Sequence, residues 1–444
     1  MSPPTYLRIL QSLEADIRLG RLRPGDAVLS HRAAARHWQV AVATVTRAYA
    51  EAALRGLLVS RPGAATRVAG APPPEVSAPT SARHNLADNI PRAPTGLNAD
   101  ALLKQAFQGL GEGRARDLLD RIDPAHEPPE HLAALGEWLS SLGVPTAERC
   151  VIPSPGAQPA LLVALRCVAS RGEVACEPLV NPGLRAAARF LGIRLVPLAC
   201  DAHGPLPEAL DQAARQGTSA LYASPTCSNP LALHWPAERR AALAEVARAR
   251  DIWIIEDDDL RPLDPQTQPL ARFGPARSIS IVGSSKVAGF AMRTAAVAFP
   301  QALADAYIDQ LRAAVWMASP LLVDVLAQWQ AGGQLAALAT ARRAEAMAVQ
   351  EMARAALARF GYRGHPAGLH GWLPLSRPWD GDRFAFHAAR CGVAVTPAQT
   401  FAVHGSRPAG MDGARLSWAA GTDMPAALSN LVGLLEHGPG GVLT

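Results

Sequence analysis

The 444-residue sequence is nearly free of lysine: of its 43 basic Lys and Arg residues, only Lys104 and Lys286 are lysines and the other 41 are arginines. In a chain that uses arginine wherever a positive charge suffices, each remaining amine raises the question of what a guanidinium could not do there. Cysteine is also scarce. The six thiols (Cys150, Cys167, Cys176, Cys200, Cys227 and Cys391) form no C-x-x-C pair and sit mostly among apolar neighbours. That argues against a zinc ribbon or a disulfide framework and points to a reducing, cytoplasmic setting. No apolar run reaches the length of a membrane span, and the N-terminus lacks a charged stretch followed by an apolar one. Neither a spanning helix nor a secretory leader is therefore expected. Charged residues are only 18% against 49% hydrophobic, which rules out wholesale disorder. At roughly 150 residues per domain the length suggests about three folding units, and 36 glycines with 38 prolines foretell many turns or a linker.

The charge that is present is unevenly spread. Residues 1–70 hold ten arginines against four acids, a net +6, and the rest of the chain sums to −1. Leu7, Leu10, Leu13 and Ile17 mark one face of a helix over 5–19, ended by Gly20 and Pro24-Gly25. Ser30 is placed to cap a second helix through Trp38, and Val42 to Arg55 form a third, stopped by Gly56. Leu57 to Ser60, a Pro62-Gly63 turn and Thr66 to Val68 predict a two-stranded ribbon. Two helices joined by so short a turn, followed by a ribbon and carrying excess positive charge, predict a winged helix-turn-helix that meets DNA. Val45, Ala48, Tyr49 and Ala52 would face its core. Thr44 and Arg47 would then reach base edges or phosphates, Arg32 and Arg36 phosphates, and Arg61 and Arg67 the backbone or groove beside the wing. Residues 71–85 read as a linker rich in Pro, Ala and Ser, which leaves 1–70 as the DNA-binding module and 86–444 as the body.

In the body, β-rich runs at 174–177, 194–199, 220–223, 252–256, 279–283 and 294–298 alternate with helical stretches at 158–170, 182–191, 207–216 and 236–250. Strands apolar on both faces and separated by helices predict an α/β fold with a mostly parallel sheet. After a helical region over 302–360, strands at 369–375, 393–396 and 414–418 suggest a smaller α+β subdomain. The large subdomain is placed at about 147–330 and the small one at about 331–444.

Lys286 stands in Ser284-Ser285-Lys286 directly after an apolar strand, with Arg293 seven residues on. An amine at a strand end beside small residues is suited to a Schiff base with pyridoxal phosphate, a role closed to a guanidinium that stays protonated. Three further features fit that chemistry. Gly156-Ala157-Gln158 opens a helix whose free N–H groups suit a phosphate. A strand runs into Glu256-Asp257-Asp258-Asp259, where a carboxylate could pair with a protonated pyridine nitrogen. Ser224 to Pro230 ends another strand, placing the Asn229 amide where it could meet the cofactor's phenolic oxygen. The four acids could instead hold Mg²⁺, but alternate strand residues face opposite sides and no GxxxxGK[ST] accompanies them. His365, His370, His387 and His404 lack metal-ligand spacing, so no metal is expected.

The N-terminal motifs resemble the winged helix-turn-helix of GntR-type transcription factors. In order and spacing, residues 86–444 resemble fold-type I, aspartate aminotransferase-like enzymes, and the whole chain resembles a MocR-type regulator of the GntR family. The resemblance implies that Lys286 carries pyridoxal 5'-phosphate, Asp257 pairs with the ring nitrogen and Asn229 contacts the ring oxygen. It assigns the phosphate to Gly156, Ala157, Gln158, Ser285 and Arg293, and an effector carboxylate to Arg415 in Ala414-Arg415-Leu416-Ser417-Trp418. It further implies a homodimer on a double-stranded DNA operator, with a body that senses the cofactor, an amine or an amino acid. Three cofactor-site positions depart from the family pattern. Asn181 stands where an aromatic usually stacks on the ring, Asp259 where a tyrosine approaches the cofactor oxygen, and Gly283 where a hydroxyl-bearing phosphate ligand is usual. Cofactor binding is thus expected in altered form, without efficient transamination. The alternatives are an aminotransferase with a secondary winged helix and a cofactor-free regulator whose site has decayed.

Overall fold

The computed structural model describes residues 5–18, 21–22, 26–54, 57–59, 65–68, 83–91, 97–111, 113–123, 127–169, 172–403, 410–418 and 422–438. Arg61, His404, the Pro62-Gly63 turn and most of the linker lie outside the described residues.

The N-terminal module has helices Thr5–Arg18, His31–Trp38 and Val42–Leu54, then strands Leu58–Val59 and Arg67–Val68 paired antiparallel. The second helix begins where Ser30 can accept from the Ala33 N–H through its hydroxyl, satisfying a donor the helix itself cannot. Ile9, Leu10 and Leu13 of the first helix pack with Val45, Ala48, Tyr49 and Ala52 of the third, and Leu58 and Val68 join the ribbon to the same core. The Tyr49 hydroxyl donates to the Leu29 carbonyl at 2.9 Å, fixing the loop that enters the second helix.

The body is built on a seven-stranded sheet in the order Arg149–Ser154, Ala295–Pro300, Ser278–Gly283, Trp253–Asp257, Thr218–Ala223, Glu173–Cys176, Arg194–Pro197. Ala295–Pro300 runs antiparallel to both neighbours and every other pairing is parallel. The strands are apolar on both faces because both faces are covered. Ile255, Ile279 and Ile281 enter one core cluster, while Ile254 and Leu221 enter another. The edge strand Arg149–Ser154 is one element the sequence pattern did not announce.

Helices Ala304–Val315, Pro320–Ala331 and Gln334–Leu357 lead to a smaller antiparallel sheet of Arg363–Gly364, His370–Pro374, Gly413–Ser417 and Thr396–Pro397. The last two residues of the expected 71–85 linker, His84–Asn85, form a strand that pairs in parallel with Val393–Ala394, and Leu86 is buried in the core of this smaller unit. The chain thus enters the body through the subdomain that its C-terminal end completes. Among the described residues, no helix is long and apolar enough to cross a membrane.

Candidate ligand cavity

Thr218–Ala223, Trp253–Asp257 and Ser278–Gly283 end side by side, and the loops leaving their C-terminal ends help to wall a cavity of about 730 Å³. Asn181, Asn229, Asp257, Asp259, Lys286 and Arg415 all line it. Arg415 comes from the small sheet and the others from the large subdomain, so the cavity lies between the two.

Asp257 is the last residue of its strand and accepts the Tyr222 hydroxyl at 2.8 Å through Oδ2. Burial, reinforced by the neighbouring Asp259 carboxylate, pushes the Asp257 carboxyl up to about 8. Burial also lowers the Lys286 ammonium to about 8, against the pull of Asp259 and Asp257. The Lys286 amine donates to the Asn89 carbonyl. Arg415 donates to Asn229 Oδ1 at 2.9 Å and to the Ala87 carbonyl, with its guanidinium 4.8 Å from the centre of the Phe401 ring. Asn181 caps the helix Pro182–Leu191, its Oδ1 accepting from the Gly183 N–H at 3.0 Å.

The four-acid run is divided among three tasks. Glu256 accepts the backbone N–H groups of Leu270 and Ala271 at 2.7 and 2.9 Å. Asp258 accepts from the Thr226 hydroxyl at 2.8 Å and from Arg261 at 3.0 Å. Asp257 and Asp259 alone face the cavity. The run is therefore not a single cation cage.

Gly156, Ala157, Gln158, Ser285 and Arg293 are not among the cavity walls. A Cβ on Gly156 would lie 2.9 Å from the Arg293 guanidinium, so the missing side chain is what lets the two approach. Gln158 Nε2 donates to the Gly183 carbonyl at 2.9 Å, tying this helix to Pro182–Leu191. Asp259 joins the two sets of residues. It lines the cavity, and its Oδ1 accepts the Gly283 N–H at 3.1 Å, beside Ala157.

In the N-terminal module Arg32, Arg36 and Arg67 are exposed and Thr44 is half-buried. Arg47 is exposed too, but its guanidinium sits 4.2 Å over the Tyr6 ring, so the first helix shares it.

Residues 5–68 match the family described as bacterial regulatory proteins, gntR family. The uncharacterized HTH-type transcriptional regulator YdeF of Bacillus subtilis is 26% identical over 91% of this chain and 88% of its own length. The vitamin B6 salvage pathway transcriptional repressor PtsJ of Salmonella typhimurium is 28% identical over 91% of this chain and 93% of its own. Among solved structures, a kynurenine aminotransferase of Pyrococcus horikoshii superposes with a TM-score of 0.72 at 20% identity, covering 80% of this chain and 91% of that one. The chain joins a GntR-type helix-turn-helix domain to an aminotransferase-like fold. That is the build implied by the MocR-type resemblance.

Several groups in the aminotransferase-like body escaped sequence reasoning. Tyr222 was read only as a strand residue, and its bond to Asp257 depends on two parallel strands lying in register. The Ala87 and Asn89 acceptors are backbone carbonyls, which carry no side-chain signature. His370 Nε2 donates to the Ser228 carbonyl at 3.0 Å, and burial lowers its imidazole to about 3. His365, dismissed on spacing, stacks on His234 with ring centres 4.8 Å apart, beside Asp264. The buried Arg240 guanidinium bears on both rings and Arg261 on the same loop, so a cation there would meet positive charge already in place.

Proposed function

We propose that the protein is a cytoplasmic, DNA-binding transcription regulator, homodimeric on a double-stranded operator. In this reading its aminotransferase-like body takes pyridoxal 5'-phosphate at Lys286 and reports the cofactor, or an amine or amino acid that reaches it, to the GntR-type domain. One observation carries the coupling. The two cationic groups suited to meet such a ligand, Lys286 and Arg415, both hold backbone carbonyls of residues 87–89, in the segment that directly follows the linker to the DNA-binding domain.

The donor set suits the cofactor. Lys286 is an amine lowered to about 8, close enough to neutrality to act as a nucleophile. Asp257, pushed up to about 8 while it faces Tyr222 and Asp259, would be held ionised by a pyridinium N–H. Gly156 against Arg293 is a cradle that a single Cβ would fill, and it opens the helix Ala157–Val168, where backbone N–H groups suit a phosphate. Asn229 is positioned by Arg415, whose planar fork suits a carboxylate. When bound, the cofactor would supply an aldehyde carbon that exchanges between amines.

A ligand that engages the Lys286 amine competes with the Asn89 carbonyl, and one that engages Arg415 competes with the Ala87 carbonyl. Either event loosens the same segment, whose next neighbours on the N-terminal side are the strand His84–Asn85 and the linker. Ligand and DNA are thereby given a shared element whose arrangement both can bias.

The test is operator binding by the full-length chain with and without pyridoxal phosphate and candidate amines, in wild type and Lys286→Ala. Ligand-dependent affinity that disappears in the variant is the expected result. DNA binding indifferent to every ligand would remove the sensing role. Steady turnover of an amino acid with a 2-oxo acid, without DNA binding, would replace the regulator by an aminotransferase.

A further inference from the structure

Two of the departures noted in the sequence, Asp259 and Gly283, are one feature in three dimensions. Gly283 ends its strand three residues before Lys286, and its N–H donates to Asp259 Oδ1 at 3.1 Å. A Cβ on Gly283 would lie 2.3 Å from that oxygen and 3.2 Å from the carboxyl carbon. Gly283 is absent from the residues with positive φ, so no backbone strain calls for glycine there. Its bare Cα is needed because the Asp259 carboxylate fills the space where any side chain would stand.

The neighbours of that carboxylate identify what it displaces. The same Gly283 position lies 3.6 Å from the Ala157 Cβ, at the start of the helix whose preceding Gly156 meets Arg293. Burial raises the Asp259 carboxyl above its usual range, while the charges of Lys286 and Arg293 and the Gly283 N–H oppose that shift and favour its ionised form. It is therefore within reach of the charges of both the amine and the cradle arginine, takes one backbone donor beside Ala157, and carries a negative charge of its own when ionised.

We propose that Asp259 sets the discrimination of the cavity between phosphorylated and phosphate-free pyridoxal, acting as a resident carboxylate at the phosphate end. This rests on the proposed use of Lys286 and deepens it. A phosphate entering beside Asp259 meets like charge and finds the Gly283 amide already engaged, a cost that the phosphate-free aldehyde does not meet. The phosphorylated cofactor is thereby held weakly enough to exchange, which is what a sensor of its concentration requires.

The experiment titrates the full-length chain separately with pyridoxal 5'-phosphate and with pyridoxal, reading bound ligand by equilibrium dialysis and by the visible absorbance of lysine-bound pyridoxal. Wild type is compared with Asp259→Asn, which keeps the shape, and with Asp259→Ser, which offers a hydroxyl instead. Both variants should raise the preference for the phosphorylated form by about tenfold or more, any change at the Lys286 amine being common to both aldehydes. An unchanged preference in both, or weaker binding of the phosphorylated form, overturns the role of Asp259 while leaving that of Lys286 intact. If no variant and no wild-type chain binds either aldehyde, the cofactor reading falls and this inference with it.

Discussion

In the GntR-type domain the charged side chains stand on the outside of a small apolar core; in the aminotransferase-like body the decisive ones line the inside of a large one. Arg32, Arg36 and Arg67 are exposed on the surface, where charge is open to screening by salt. Lys286, Asp257 and Asp259 line the cavity, where burial moves their ionisation, and Arg415 lines it with its fork directed by Asn229. The same residue types are thus controlled by different variables. In the proposed reading, ionic strength governs the first region, and pH with ligand chemistry the second.

The sharpest way to break this contrast is at the two lysines. Lys286→Ala should abolish the visible band of bound pyridoxal phosphate, whereas Lys104→Ala, on the exposed side of the helix Ala99–Gln108, should leave it unchanged. Only the neutral amine adds to a carbonyl, and Lys286 is lowered to about 8. Stopped-flow capture rates should therefore rise about tenfold per pH unit below that value and level off above it. A flat profile would place a different group at the aldehyde.

Next in size is Arg415→Ala. Losing a partly buried fork should weaken a carboxylate-bearing effector about a hundredfold, read as the concentration needed to shift DNA binding. A carboxylate-free amine should be far less affected.

Glu177 sharpens the pH side of the comparison. It is buried after the strand Glu173–Cys176, and burial pushes its carboxyl up to about 8 from an ordinary value of 4.5. At neutral pH the folded chain must hold a proton here that the unfolded chain has released. That cost begins as pH rises past the ordinary value and grows until about 8. Glu177→Gln should raise unfolding free energy near neutral pH by about 2 kcal/mol, with the gain vanishing in acid, as read from denaturant melts.

The smallest effects belong to the outside charges. Arg32→Ala and Arg36→Ala should each weaken operator binding by roughly threefold to tenfold and lower the slope of log affinity against log salt by about one. Pyridoxal phosphate binding should not change in either.

Much of this contrast was legible before any fold was known. Val45, Ala48, Tyr49 and Ala52 fall on one helical face, and that periodicity alone placed them in the core where they lie. Lys286, Asp257 and Asn229 follow apolar strands, so their position at one sheet edge could be read from order and spacing. The strand Arg149–Ser154 was hidden because Pro153 interrupts a short apolar run; it is tolerated since this strand has a neighbour on one side only. Arg47 is exposed, as its place on the third helix suggested, but its contact with Tyr6 depends on the first helix, whose approach no local pattern specifies. The pairing of Asp259 with Gly283 was beyond reach for another reason. Each was visible as a departure, but only their distance shows that one makes room for the other.

The seam between His84–Asn85 and Val393–Ala394, with the carbonyls of Ala87 and Asn89 just beyond it, has a thermodynamic consequence. If a ligand loosens this segment and so alters affinity for the operator, the operator must alter affinity for the ligand by the same factor. DNA then becomes an effector of the cavity. Protein standing on its sites and protein free in solution would retain the cofactor with different tenacity, so the number of occupied operators would itself influence how much cofactor the population holds.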